Sequence, residues 1–112
     1  MAGREEMTEA FADTFFFIAL LNPKDQHHPR VRAEFCANRF RIVTTTWILV
    51  ELADAFATRS IRVQIHRFVA TALAEPTMTI AAEPEWLHRG LELFGMRADK
   101  DWSLTDCISF AV

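Results

Sequence analysis

Three short runs with strand character alternate with stretches of helical periodicity along this chain. Thr8-Glu9-Ala10-Phe11-Ala12-Asp13 leads into an apolar helical stretch over 14–21. Arg41-Ile42-Val43-Thr44-Thr45 is β-branched and reads as a second strand. Thr77-Met78-Thr79-Ile80 reads as a third. Between and after them the pattern predicts helices over 24 to about 38, over 47 to about 58 behind Thr46 as N-cap, and over roughly 61–74. Pro84 in a first turn opens another helix to about 96, and Ser103 caps a last one running to Val112. Strands separated by helices imply a parallel sheet with helices on both faces, an α/β fold. Ligands of such sheets bind at the carboxyl ends of the strands.

That location directs attention to the acids. Asp13 closes the first strand run inside the apolar sequence Phe11-Ala12-Asp13-Thr14-Phe15-Phe16-Phe17, where a charge is costly unless it is paired or metal-bound. Its plain structural role is a helix N-cap. Glu51 lies in Trp47-Ile48-Leu49-Val50-Glu51-Leu52-Ala53, on the helix after the second strand. It could equally reach water from the edge of a buried helix on its long stem. Asp106 belongs to Ser103-Leu104-Thr105-Asp106, which fits a capping box, and the capping and site roles can coexist. Asp99 and Asp101 read as solvated loop charges, although Asp101 could extend a pocket. Three acids placed after separate strand or loop ends repel one another unless a cation neutralises them. Carboxylate oxygens are hard ligands, which points to Mg²⁺ or Mn²⁺.

Composition removes other classes. A length of 112 residues, 51% hydrophobic and 24% charged, fits a single soluble globular domain over 1–112. No apolar run is long enough to span a membrane, and the acidic, polar N-terminus does not read as a signal peptide. Two cysteines, Cys36 and Cys107, make no disulfide framework, and a reducing cytoplasmic compartment is expected. With only three glycines there is no P-loop and no dinucleotide fingerprint. The net charge of −3 argues against coating nucleic acid with a basic surface. Among the 12 basic residues Arg far outnumbers Lys, which suits bidentate phosphate contacts, though a high-GC codon bias accounts for the same excess.

The acids stand in motifs that resemble a known family. Phe-Ala-Asp13-Thr-Phe-Phe-Phe-Ile-Ala-Leu-Leu resembles the first motif of PIN domains, and Ile-Val-Thr-Thr-Thr-Trp-Ile-Leu-Val-Glu51-Leu the second. Asp99-Lys-Asp-Trp-Ser-Leu-Thr-Asp106-Cys-Ile-Ser-Phe resembles the third. The motifs run in the family's order over almost the whole chain, and the nearest group is similar to VapC-type toxins. The resemblance implies a three-layer α/β/α sandwich and endoribonuclease activity on RNA. It also implies a pocket holding Mg²⁺ or Mn²⁺ on Asp13, Glu51 and Asp106, a homodimer and a cognate antitoxin. Members of the family continue with a further strand carrying a fourth Asp, whereas this sequence ends at Phe110-Ala111-Val112. The domain is therefore expected to be incomplete at its C-terminus, with the last strands of the sheet and one ligand missing. A catalytically impaired binding module is the alternative reading, and a receiver-like phosphoacceptor domain ranks below both.

Other constellations carry less. His27 and His28 are adjacent, so they point to different helix faces and chelate poorly. His66 and His88 are expected on helix surfaces, Cys107 has no local His to activate it, and Trp47, Trp86 and Trp102 read as core. Trp102, close to the acids, is the best exception. Arg59, Arg62 and Arg67 could line an RNA path or simply form a solvated helix face.

Overall fold

The computed structural model describes residues 8–37, 40–58, 60–75 and 78–112. Its elements follow the expected order: β1 (Thr8–Phe11), α1 (Thr14–Leu21), α2 (His28–Cys36), β2 (Phe40–Thr45), α3 (Thr46–Ala55), α4 (Arg62–Ala74), β3 (Thr79–Ala81), α5 (Pro84–Met96) and α6 (Leu104–Ala111). The strands form one parallel sheet in the order β1-β2-β3. Glu9 sits beside Arg41 and Phe11 beside Val43, while Thr45 stands beside Ala81. The fold is α/β, an α/β/α sandwich with three strands among the described residues.

Right-handed crossovers place α1 to α4 on one face of a sheet that grows in a single direction. One apolar cluster joins them, with Phe17, Ile48, Leu49, Leu52 and Ile65 packed around Ala12 and Ile42 of the strands. Phe17 is fully buried and meets Phe68 with ring centroids 5.6 Å apart, within the range favoured by aromatic pairs. α5 and α6 form a hairpin that packs chiefly on itself. Its seam closes at Gly90, where a Cβ would stand 2.9 Å from both the Cα and the N of Ile108.

Several boundaries move for identifiable reasons. The first strand stops at Phe11 rather than Asp13, because Asp13 leaves the ladder to cap α1. The second helix starts at His28, not Lys24: Asp25 Oδ1 accepts from His27 N at 2.8 Å and holds a turn, and Pro29 then sets the first helical turn. Its expected end at Asn38 lies outside the described residues, as does Thr77 at the start of the third strand. The N-cap of α3 is Thr45, which accepts from Ile48 N at 3.1 Å, and Thr46 is already helical. α3 ends at Ala55 rather than near Thr58. The helix at Pro84 and the Ser103 cap stand as expected.

Candidate carboxylate site

The end of β1 is pinned to β2 from both sides of one residue, Ala12. Ala12 N donates to Val43 O at 2.8 Å, and the fully buried Thr44 hydroxyl donates to Ala12 O at 2.9 Å. Thr44 therefore satisfies its own polar group while fixing where the chain leaves the sheet. The next residue, Asp13, is extended and exposed, and its Oδ1 accepts from Phe16 N at 2.9 Å as the N-cap of α1. Its second carboxylate oxygen takes part in no hydrogen bond among the described residues.

Thr45, at the end of the neighbouring strand, starts α3 in the same way and so directs Glu51. Glu51 is exposed on α3 at the edge of the face that buries Ile48, Leu49 and Leu52. The Thr14 hydroxyl donates to Glu51 Oε1. This contact links residues 37 apart and sets Glu51 against the residue that follows Asp13. Thr14 is the residue that sequence reasoning missed. A hydroxyl directly after the capping acid was its only signal.

Asp106 stands on α6. Its Oδ2 accepts from Ser103 N at 3.1 Å, and Ser103 Oγ accepts from Asp106 N at 3.0 Å, a complete capping box. Asp101 is exposed in the segment before α6. The structure thus ties the Asp13 segment to Glu51 and carries Asp106 and Asp101 on the hairpin. Among the described residues no three His, Cys, Asp or Glu side chains gather as a metal-binding group. The donor set nevertheless suits a hard divalent cation: all three acids are exposed carboxylates, and each spends one oxygen on a hydrogen bond, local for Asp13 and Asp106 and long-range for Glu51.

The remaining candidates sort clearly. Burial and the adjacent Asp106 charge push the Cys107 thiol above its ordinary range, the opposite of what an activated thiol needs. His28 Nδ1 bonds Ala19 O at 2.8 Å, while His27 meets Gln26, so the two imidazoles do not share a ligand. His66 and His88 are exposed. Arg59 lies outside the described residues; Arg62 is exposed and donates to Ala57 O.

The tryptophans depart from the core reading, because all three are only half-buried. Arg89 lies over Trp86 at 5.1 Å, and Arg97 over Trp102 at 5.2 Å. Asp13, Glu51, Asp101 and Asp106 line neither of two cavities among the described residues. One of about 580 Å³ lies along β1 and α2, walled by Phe11, Phe16, Phe35 and Phe40. Another of about 410 Å³ lies between α3 and α4.

The chain matches no protein-family model and no curated protein by sequence. Among solved structures it is similar to Mycobacterium tuberculosis VapC20, a sarcin-ricin loop cleaving toxin. The TM-score is 0.76 at 19% identity, over 90% of this chain and 78% of that one. The likeness establishes a shared PIN-type fold.

Proposed function

We propose that this protein is a PIN-type endoribonuclease that hydrolyses RNA phosphodiester bonds with Mg²⁺ or Mn²⁺, acting as the toxin of a toxin–antitoxin pair. The observation that carries the reading is the Thr14–Glu51 contact, which sets Glu51 against the residue after Asp13 at the carboxyl ends of two parallel strands. The likeness to a toxin that cleaves the sarcin-ricin loop supports the same chemistry.

Asp13, Glu51 and Asp106 are the residues to hold the cation, with Asp101 at the margin. When bound, the metal polarises the phosphoryl oxygen and lowers the pKa of a ligated water. The chain's own residues do the positioning. Phe16 N–H fixes the Asp13 carboxylate, Ser103 N–H fixes that of Asp106, and the Thr14 hydroxyl stops Glu51 from swinging into solvent. In each case the other oxygen remains for a ligand. Orientation by outer partners of this kind is worth roughly 10–100-fold in metal affinity or activity, and Thr14→Val is expected to lose that much.

Exposed apolar side chains on α4, Val63 and Leu73, suit cover by an antitoxin or by a second copy in a homodimer. No helix among the described residues is long and apolar enough to cross a membrane, and Cys36 and Cys107 are both free. These features accord with a cytoplasmic toxin.

One observation favours a second reading, a PIN-like binding module without turnover: Asp13 and Asp106 both serve as caps, and no three ligands gather among the described residues. Cleavage of a labelled RNA in Mn²⁺ separates the two. Wild type is expected to cut, EDTA to stop it, and Asp13→Asn to abolish cutting while leaving the fold intact, since Asn caps a helix as well as Asp. Mn²⁺ is also expected to raise the melting temperature of wild type but not of Asp13→Asn. At a hundredfold excess over Kd that stabilisation is about 2.7 kcal/mol. Undiminished cleavage by Asp13→Asn would refute the assignment.

A further inference from the structure

The connector between α5 and α6 carries two cations restrained by neighbouring side chains, Arg97 and Lys100. Arg97 Nε and Nη2 donate to Asp99 Oδ1 and Oδ2 at 3.0 and 3.1 Å, and Lys100 N closes a turn onto Arg97 O at 3.0 Å. Arg97 and Lys100 then both approach Trp102, with the guanidinium carbon 5.2 Å and the ammonium 5.8 Å from the ring centroid. Trp102 is braced in turn by Phe110, edge-on at 4.9 Å. Aromatic rings attract cations at these distances, so the ring restrains both long side chains before any ligand arrives.

The charges on this loop are not equivalent. Asp99 is consumed by Arg97, which engages both of its carboxylate oxygens. Lys100 is exposed and forms no ion pair with any described residue. Arg97 keeps Nη1 outside the pair. The loop also runs directly into the site: Trp102 precedes Ser103, and Ser103 N–H holds the Asp106 carboxylate.

We propose that the 97–102 loop is an RNA-backbone subsite, in which Lys100 and Arg97 Nη1 contact a phosphate flanking the scissile bond and Trp102 positions both cations. The proposal rests on the ribonuclease reading, since Asp106 marks where the scissile phosphate lies. Restrained cations next to a carboxylate centre let a polyanion approach acids that would otherwise repel it. Sequence preference is not expected from this loop, because phosphate contacts position the strand without reading bases.

The test is binding of a short fluorescein-labelled single-stranded RNA, followed by anisotropy in EDTA so that no strand is cut, over a range of salt concentrations. Lys100→Gln is expected to bind severalfold more weakly, with the slope of log K against log salt reduced by about 1. Lys100→Arg should restore both, and Trp102→Phe should fall between. In Mn²⁺, Lys100→Gln should raise KM and leave kcat nearly unchanged. Because Lys100 is exposed, its variants are expected to keep the wild-type circular dichroism. If wild type cuts RNA while Lys100→Gln binds and salts out like wild type, the subsite is wrong and the nuclease reading stands. If Lys100→Gln weakens binding but wild type never cuts, the loop stands as an RNA-backbone contact only, and its place beside a scissile bond falls with the nuclease reading. An equal loss of binding to heparin would make the loop a general anion patch and overturn the RNA assignment.

Discussion

Helices α1, α3 and α4 bury Phe17, Ile48, Leu49, Leu52 and Ile65 in one cluster against the sheet, whereas α5 and α6 bury only Gly90, Cys107 and Ile108. The hairpin leaves Met96 71% exposed and Phe110 57% exposed, with Leu91 and Phe94 also at the surface. The radius of gyration, 15.3 Å, exceeds the roughly 13 Å of a compact chain of this length. One region is thus held by a shared interior and the other by a single close seam. The carboxylates divide along the same line, with Asp13 and Glu51 on the sheet side and Asp106 on the hairpin. Any chemistry that uses all three depends on how firmly the hairpin docks.

The comparison breaks most visibly in the sheet-side core. Phe17→Ala removes a fully buried ring and is expected to cost about 3–5 kcal/mol, lowering the urea midpoint for the whole protein. A much smaller loss would mean that the cluster is not what holds the sheet side. Gly90→Ala comes next. In an open helix this change stabilises by roughly 0.5–1 kcal/mol. Here the new methyl meets the backbone of Ile108, so destabilisation by about 1–3 kcal/mol is expected instead. Amide exchange should quicken in α6 before it does in β2. Equal quickening in both would show that the two regions are one cooperative unit.

The smallest expected effect is on pH. Arg97 holds Asp99 below its ordinary range, and backbone N–H groups of Glu83 and Ala82, with the Trp86 indole, do the same for Glu83. Both folded values are depressed, so each contribution is present above the usual carboxylate range and is lost as pH falls through the lowered value. Tryptophan fluorescence should therefore change slightly on acidification below about pH 4. The change should vanish in Glu83→Gln with Asp99→Asn; if it persists there, it arises elsewhere.

Much of this arrangement was legible in the sequence because its causes are local. Ser103 and Asp106 make their capping box within one turn, and Pro84 can start a helix wherever the chain places it. The acids were also legible as a chemical type. Where the local reading slipped, a neighbouring side chain had changed the boundary, as Asp25 did for α2 and Thr45 for α3. The tryptophans misled because their size reads as core, while their exposure is set by which helix faces find a partner.

By itself, then, the sequence determined the order of strands and helices, the caps at Asp13 and Ser103, and an oxygen-only set of candidate ligands. Those rest on interactions a few residues long and on side-chain chemistry. The tertiary structure alone decided that Thr14 meets Glu51 across 37 residues, that Thr44 pins Ala12, and that Gly90 admits Ile108. Such contacts depend on how sheet and helices stack. No local preference encodes them, because each needs two distant segments brought to a separation that only the packed interior fixes.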